Sequence, residues 1–77
     1  MALPVVSGRQ AIKALTKAGF EVAGRRGSHV KLKKRVDKKV FVVIVPDHAE
    51  LARGTLKSIL RQANTTREEF LKLLEEG

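Results

Sequence analysis

The chain lacks cysteine, tryptophan and tyrosine altogether, and its 77 residues include only two histidines and two prolines. Without cysteine it has no disulfide, no thiol nucleophile and no thiolate metal site, which is compatible with a reducing compartment. The longest apolar run covers residues 40–45 and is too short to cross a membrane, and residues 1–4 lack the charged and apolar regions of a signal peptide. We therefore expect a cytoplasmic protein with no membrane contact.

A chain of this length is expected to form one domain, residues 1–77, with one thin core. Because such a domain buries only about 60% of the surface of its unfolded chain, a functional site must lie in a shallow groove. Its three phenylalanines, without tryptophan or tyrosine, provide no platform for stacking bases, so base-specific recognition is expected to be weak. Phe20 and Phe70 are predicted to lie in the core.

Acidic residues are scarce in the first part of the chain. Residues 1–45 hold eleven lysines and arginines against Glu21 and Asp37, a net charge of +9, whereas residues 46–77 hold five cations and six anions, a net charge of −1. A positive field on one side is typical of a surface that contacts phosphate. The alternative is a solvated basic face that only keeps the chain soluble.

Capping signals predict three helices. Ser7 begins an S-x-x-Q capping box, so a first helix should start after it and end at Gly19, which suits a left-handed stop. Thr55 is the predicted cap of a second helix that stops at Asn64. Overlapping T-x-x-E boxes over residues 65–69 predict the start of a third helix.

Three strands are predicted between the first two helices, over residues 20–24, 29–34 and 40–45, with turns at residues 25–27 and 35–39. The third is nearly all apolar, which predicts a strand that is central or covered on both faces. The element order α-β-β-β-α-α predicts an α+β fold with a three-stranded antiparallel sheet covered by helices. This order of a helix, three strands and a helix is also that of double-stranded-RNA-binding domains.

The sequence Gly-Ser-His at residues 27–29 carries the strongest chemical signal. Gly27 permits a sharp turn, and the alternation of side chains along a strand then places His29, Lys31 and Lys33 on one face. Histidine changes its charge between about pH 5 and 8, so an imidazole beside phosphate-attracting cations suits proton transfer on a polyanion. The predicted polyanion is RNA.

In this hypothesis His29 is a general acid or base and Lys31 offsets the charge on a phosphorane. The residues expected to contact RNA are the cations and the serine around this histidine: Arg25, Arg26, Ser28, Lys31, Lys33 and Lys34. A structural hydrogen bond is the alternative role for His29. His48, after Pro46-Asp47, either locks the loop before the second helix or supplies the second proton carrier. The two histidines have no third ligand nearby, so no metal and no cofactor are predicted.

The motifs together resemble the HicA family of bacterial toxin ribonucleases. The matching pieces are Ser7-Gly8, Gly19-Phe20, Gly27-Ser28-His29, the Val-Pro-Asp-His sequence at residues 45–48, and the Gly-Thr-Leu to Arg-Gln-Ala sequence at residues 54–63. The resemblance covers nearly the whole chain and departs at Asn64, where many relatives have glycine.

The resemblance implies the toxin of a type II toxin–antitoxin pair with a double-stranded-RNA-binding-like fold. It implies metal-independent endonucleolytic cleavage of mRNA with His29 as the catalyst, and a cognate HicB-type antitoxin as the partner. The sequence does not determine the oligomeric state, and a monomer is expected for the chain alone. Two other function classes fit the residues alone: a non-catalytic double-stranded-RNA-binding module, and an interaction protein whose basic face docks an acidic partner.

Overall fold

A computed structural model describes residues 4–76 of the chain. Its elements are α1 (Gly8–Lys17), β1 (Glu21–Arg26), β2 (His29–Val36), β3 (Lys39–Pro46), α2 (Arg53–Gln62) and α3 (Arg67–Glu75). The strands form one antiparallel sheet in the order β1-β2-β3. The predicted α+β class and element order are therefore confirmed. Within residues 4–76, every helix is too short and too polar to cross a bilayer.

Capping boxes begin the first and third helices, as predicted. The Ser7 hydroxyl accepts from the Gln10 amide at 3.0 Å, and the Ser7 amide donates to the Gln10 side chain at 2.9 Å. Thr66 and Glu69 form the same pair of bonds at α3. The backbone amide of Thr66, with a smaller contribution from its side chain, holds the pKa of Glu69 below its usual value. Both helix starts thus follow from local sequence.

The second helix begins earlier than predicted, and the prediction of Thr55 as its cap is wrong. The cap residue is Ala52, which offers no side-chain bond, and its carbonyl accepts from the Leu56 amide at 2.9 Å. Leu51 is buried, and its amide donates to the Val6 carbonyl at 2.8 Å. Because this hydrogen bond fixes the position of Leu51, the helical hydrogen bonds begin at the carbonyl of the next residue, Ala52. The predicted stop at Asn64 is confirmed by its left-handed φ of 52°.

Within residues 4–76, helices cover the sheet on one face only. Val43 and Val45 of β3 are buried there, together with Leu32 of the central strand β2. The intervening residues of β3 face the other side and stay exposed. The prediction that this apolar strand is central or doubly covered is therefore wrong, because β3 is an edge strand. An apolar run shows that a strand can be buried on both faces but does not show that a second layer exists.

The core fills the space between the covered face and the helices. Phe70 and Leu15 are fully buried where α3 and α1 pack together, while α2 lies against β3. Phe20 is buried beside them, so both phenylalanines predicted to lie in the core do so.

A close contact joins the start of α1 to the loop after β3. The Gly8 amide donates to the His48 carbonyl at 2.8 Å. A Cβ atom at Gly8 would lie 2.0 Å from the Pro46 carbonyl oxygen and 2.8 Å from the Asp47 Cα. Because only glycine permits this approach, residue 8 fixes the position of residues 46–48, which border the candidate site.

Candidate active site on the open face of the sheet

A two-residue turn places His29 at the end of the sheet. Gly27 and Ser28 form this turn, Gly27 has a φ of 61°, and the flanking residues Arg26 and His29 pair across the strands. A positive φ at the first residue of such a turn favours glycine. The predicted turn at residues 25–27 is therefore displaced to residues 27–28, while His29 begins β2 as predicted.

A β-bulge in β1 decides which arginine lies beside His29. Val22 pairs with Leu32 and Gly24 with Lys31, so Ala23 is an extra residue without a partner on β2. An extra residue reverses the faces of all the side chains that follow it. Arg26 consequently lies opposite His29, on the side of the sheet that the helices leave uncovered.

We call this uncovered side the open face. On the central strand it carries His29, Lys31, Lys33 and Arg35, all of which are exposed. Residues directly opposite each other on antiparallel strands have Cβ atoms about 4.5–5.5 Å apart, and residues two apart on one strand are separated by about 6.6–6.8 Å. The imidazole is therefore flanked by Arg26 across the strand and by Lys31 along it.

The imidazole of His29 is exposed and has no hydrogen-bond or ion-pair partner within residues 4–76. The alternative role, a structural hydrogen bond, thus lacks a partner in the described part of the chain. What the position provides is an imidazole between two cations on an exposed face of the sheet, which leaves room for a long polyanion.

Arg25 is directed to the other side of the sheet and is held by Asp47. Arg25 pairs with Val30, which faces the core, and its guanidinium forms an ion pair with the Asp47 carboxylate. The Asp47 amide also donates to the Ser28 carbonyl at 2.6 Å. Asp47 therefore joins the loop after β3 to the turn that precedes His29. Sequence reasoning missed this contact because its partners are 22 residues apart and neither carries a local signal.

Lys34 is likewise separated from His29. It is half-buried on the covered side, where its Nζ lies 5.7 Å from the centroid of the Phe20 ring. There it lines a groove of about 920 Å³ between the β2–β3 turn and α3, and no histidine lines that groove. Of the predicted RNA-contacting residues, the structure brings Arg26, Lys31 and Lys33 together with His29 and places Ser28 next to it in the turn.

His48 is exposed, and its contact with the fold is made by its backbone. Its carbonyl accepts from Gly8, whereas its imidazole has no hydrogen-bond partner within residues 4–76. The backbone carbonyl of His48, and not its side chain, therefore holds the loop after β3 in place. His48 follows Pro46, the strand partner of His29, by two residues. In the same described range, no three His, Cys, Asp or Glu side chains group as metal ligands.

Comparison with known proteins identifies the family of the chain. A family model described as "HicA toxin of bacterial toxin-antitoxin" matches residues 8–65, which include α1, the whole sheet and α2. A search of curated proteins returned no match. A toxin of this kind implies a cognate antitoxin as its partner. The match spans well over half of the chain, and the chain therefore belongs to the HicA family of bacterial toxins.

Proposed function

We propose that this toxin is an endoribonuclease that cleaves mRNA without a metal ion, with His29 as a proton-transfer group. The observation that carries the proposal is the exposed imidazole of His29 between Arg26 and Lys31 on the open face. Two cations attract a phosphodiester to this position, and the imidazole between them is a side chain that can accept or donate a proton.

The reaction requires one proton acceptor and one proton donor; His29 fills one of these roles, and His48 or water fills the other. The ribose 2′-hydroxyl loses its proton and its oxygen attacks the adjacent phosphorus, the bond from phosphorus to the 5′-oxygen breaks, and that oxygen takes up a proton. The products are a 2′,3′-cyclic phosphate and a 5′-hydroxyl. His29 removes the first proton or supplies the second, and Lys31 stabilises the negative charge that builds up on the phosphorane oxygens.

The other residues predicted to contact RNA lie on two different sides of the sheet. Arg26 and Lys33 share the open face with His29 and are proposed to bind the flanking phosphates, with Ser28 beside them in the turn. Arg25 is proposed to position the turn through Asp47. Lys34, on the covered side, is left out of the RNA-binding surface.

The test is cleavage of a defined RNA by the purified chain in the presence of a chelator. We expect cleavage to continue, a DNA of the same sequence to be spared, and the products to carry a 2′,3′-cyclic phosphate or the 2′- or 3′-phosphate formed from it. A requirement for a divalent ion, or a 5′-phosphate on the products, would instead indicate attack by metal-bound water. Binding without cleavage would identify a non-catalytic RNA-binding module.

The salt dependence of RNA affinity tests the basic surface. Each phosphate contact on a single strand contributes about −0.7 to the slope of log affinity against log salt. We therefore expect the double variant Lys31→Gln/Lys33→Gln to have a slope shallower than the wild type by about 1.4. Lys38→Gln removes one lysine charge from the β2–β3 turn, away from His29, and should leave the slope unchanged. Equal slopes in all three chains would exclude Lys31 and Lys33 from phosphate binding.

A further inference from the structure

Two rows of side chains run beside each other along the open face. The basic row consists of Lys31, Lys33 and Arg35 on β2, all of which are exposed. The apolar stripe consists of Val40, Val42 and Ile44 on β3, with exposures of 50%, 38% and 40%. The strand pairing places Lys31 opposite Ile44, Lys33 opposite Val42 and Arg35 opposite Val40. The open face therefore repeats one unit, a cation beside an aliphatic side chain, along its length.

The spacing of the rows suits a polymer with one charge and one apolar group in each unit. Members of one row are about 6.6–6.8 Å apart, and the Cβ atoms of paired residues are about 4.5–5.5 Å apart. The pairing of β2 with β3 has no bulge from His29 to Val36, so the spacing is regular over both rows. A complementary ligand places anions on the basic row and apolar groups on the stripe.

A single strand of RNA has this arrangement. Each nucleotide carries one negatively charged phosphate, and the face of an unpaired base is free to pack against a protein and leave water. In a double helix the base faces are stacked inside, and only base edges and 2′-hydroxyls reach the surface. A duplex would therefore contact the basic row but leave the stripe exposed to water.

The rows lie on one side of His29 only. His29 is the first residue of β2, and its partner on β3 is Pro46, the last residue of that strand. Beyond His29 the chain forms the turn at residues 27–28, so neither row continues there. A strand whose scissile phosphate lies at His29 is consequently contacted by the two rows on one side of that phosphate.

The charges on the open face disfavour a second copy of the chain as the ligand. Besides the basic row this face carries Arg26 and His29, and among the strand residues that the structure describes its one anion is Glu21, opposite Lys33. Two copies placed face to face would bring like charges together along both basic rows, which is unfavourable. A polyanion has the complementary charge.

From these observations we infer that the open face selects single-stranded RNA and binds it on one side of the scissile phosphate, with successive phosphates on the basic row and the adjacent bases against the apolar stripe. The inference rests on the proposed function and names the substrate class of that site. It assigns Arg35, Val42 and Ile44 a role in substrate binding. Aliphatic side chains cover the face of a base without reading its edges, so this contact is not base-specific.

The first test measures binding at physiological salt, with His29→Ala in every sample so that cleavage does not interfere. The ligands are an RNA strand, an abasic strand that keeps every sugar and phosphate, and the duplex of the RNA strand with its complement. We expect the chain to bind the RNA strand at least about fivefold more tightly than the abasic strand, because only the former buries apolar surface on the stripe. The duplex should also bind more weakly than the RNA strand.

The variant Val42→Thr/Ile44→Thr keeps branched side chains suited to a strand and removes apolar surface. The preference for the RNA strand over the abasic strand should largely disappear in this variant, while its affinity for the abasic strand stays unchanged. Val36→Thr is the matched control, because Val36 is 42% exposed in the same sheet but lies on the covered side. It should keep the full preference.

Equal affinity of the parent chain for the RNA and abasic strands would overturn the inference, as would tighter binding of the duplex. A preference that persists in Val42→Thr/Ile44→Thr would remove the stripe from RNA binding. In that case, a weaker complex of this variant with a purified protein partner would assign the stripe to protein binding instead. These outcomes depend on binding alone and do not require cleavage.

The second test locates the bound nucleotides with the wild-type chain. A DNA strand that contains a single ribonucleotide has one 2′-hydroxyl and is therefore cleaved at one known bond. Shortening this strand from one end should lower kcat/KM steeply over about three nucleotides nearest the bond, one for each cation of the row, and shortening it from the other end should have little effect. Equal losses from both ends would overturn the one-sided binding. A complete lack of cleavage would overturn the proposed function, whereas the binding measurements would still decide whether the stripe contacts bases.

Discussion

Replacement of His29 by alanine is expected to lower the rate of RNA cleavage by about 10²- to 10⁴-fold, the contribution of one well-placed general acid or base. RNA affinity should stay close to that of the wild type, because the phosphates are bound by the neighbouring cations and not by the imidazole. The loss should therefore appear in kcat and not in KM. Single-turnover cleavage of a defined RNA, together with a binding titration, separates the two quantities.

His48→Ala is the matched control, since it removes the chain's other imidazole from an exposed position. That imidazole makes no hydrogen bond within residues 4–76, so the fold should be unaffected. If the rate falls only in His29→Ala, His29 acts without His48. If it falls in both, His48 is the second proton carrier. Full activity of His29→Ala would remove His29 from the mechanism, and growth of cells on induction of each variant gives an independent readout.

The position of His29 was predictable because its determinants are local. A glycine before a strand with alternating apolar and charged residues determines both the turn and the face. The helix starts at Ser7 and Thr66 were predictable for the same reason, since a capping box spans only four residues. Such features need no knowledge of the remainder of the chain.

Which arginine of β1 lies beside His29 was not predictable in the same way. Without a bulge, the alternation along β1 would direct Arg25 to the open face and Arg26 to the core side. The extra residue Ala23 reverses this, so Arg26 lies beside His29 and Arg25 pairs with Asp47. Gly24 within a strand is a recognised sign of a bulge, but it does not locate the extra residue.

Contacts between distant segments account for the remaining differences between the predictions from sequence and the structure. The apolar run of β3 does not reveal that a helical layer covers one face only, and the charge of Lys34 does not reveal that its side chain lies over Phe20. The site also depends on the contact of Gly8 with residues 46–48, which no capping or periodicity signal indicates. Disruption of that contact is expected to lower the stability of the fold.

Gly8→Ala is expected to destabilise the fold by about 1–3 kcal/mol, the usual cost of adding a methyl group to a packed site. The new Cβ would lie 2.0 Å from the Pro46 carbonyl oxygen, and backbone cannot rotate away as a flexible side chain can. The loop is also bound on both sides, by the Gly8 amide at His48 and by the Ser28 carbonyl at Asp47. Relief of the clash must therefore break one of these bonds.

Gly54→Ala makes the same chemical change in the first turn of α2, where a Cβ atom would meet nothing within 4 Å. It should stabilise the chain by up to about 1 kcal/mol, because alanine favours a helix over glycine. Thermal unfolding followed by circular dichroism compares the two variants, since each kcal/mol corresponds to roughly 4–8 °C in Tm for a domain of this size. A Gly8→Ala variant as stable as the wild type would show that the loop moves freely. If instead relief of the clash breaks the bond between the Asp47 amide and the Ser28 carbonyl, the turn before His29 loosens, so the rate of RNA cleavage should fall in Gly8→Ala and not in Gly54→Ala.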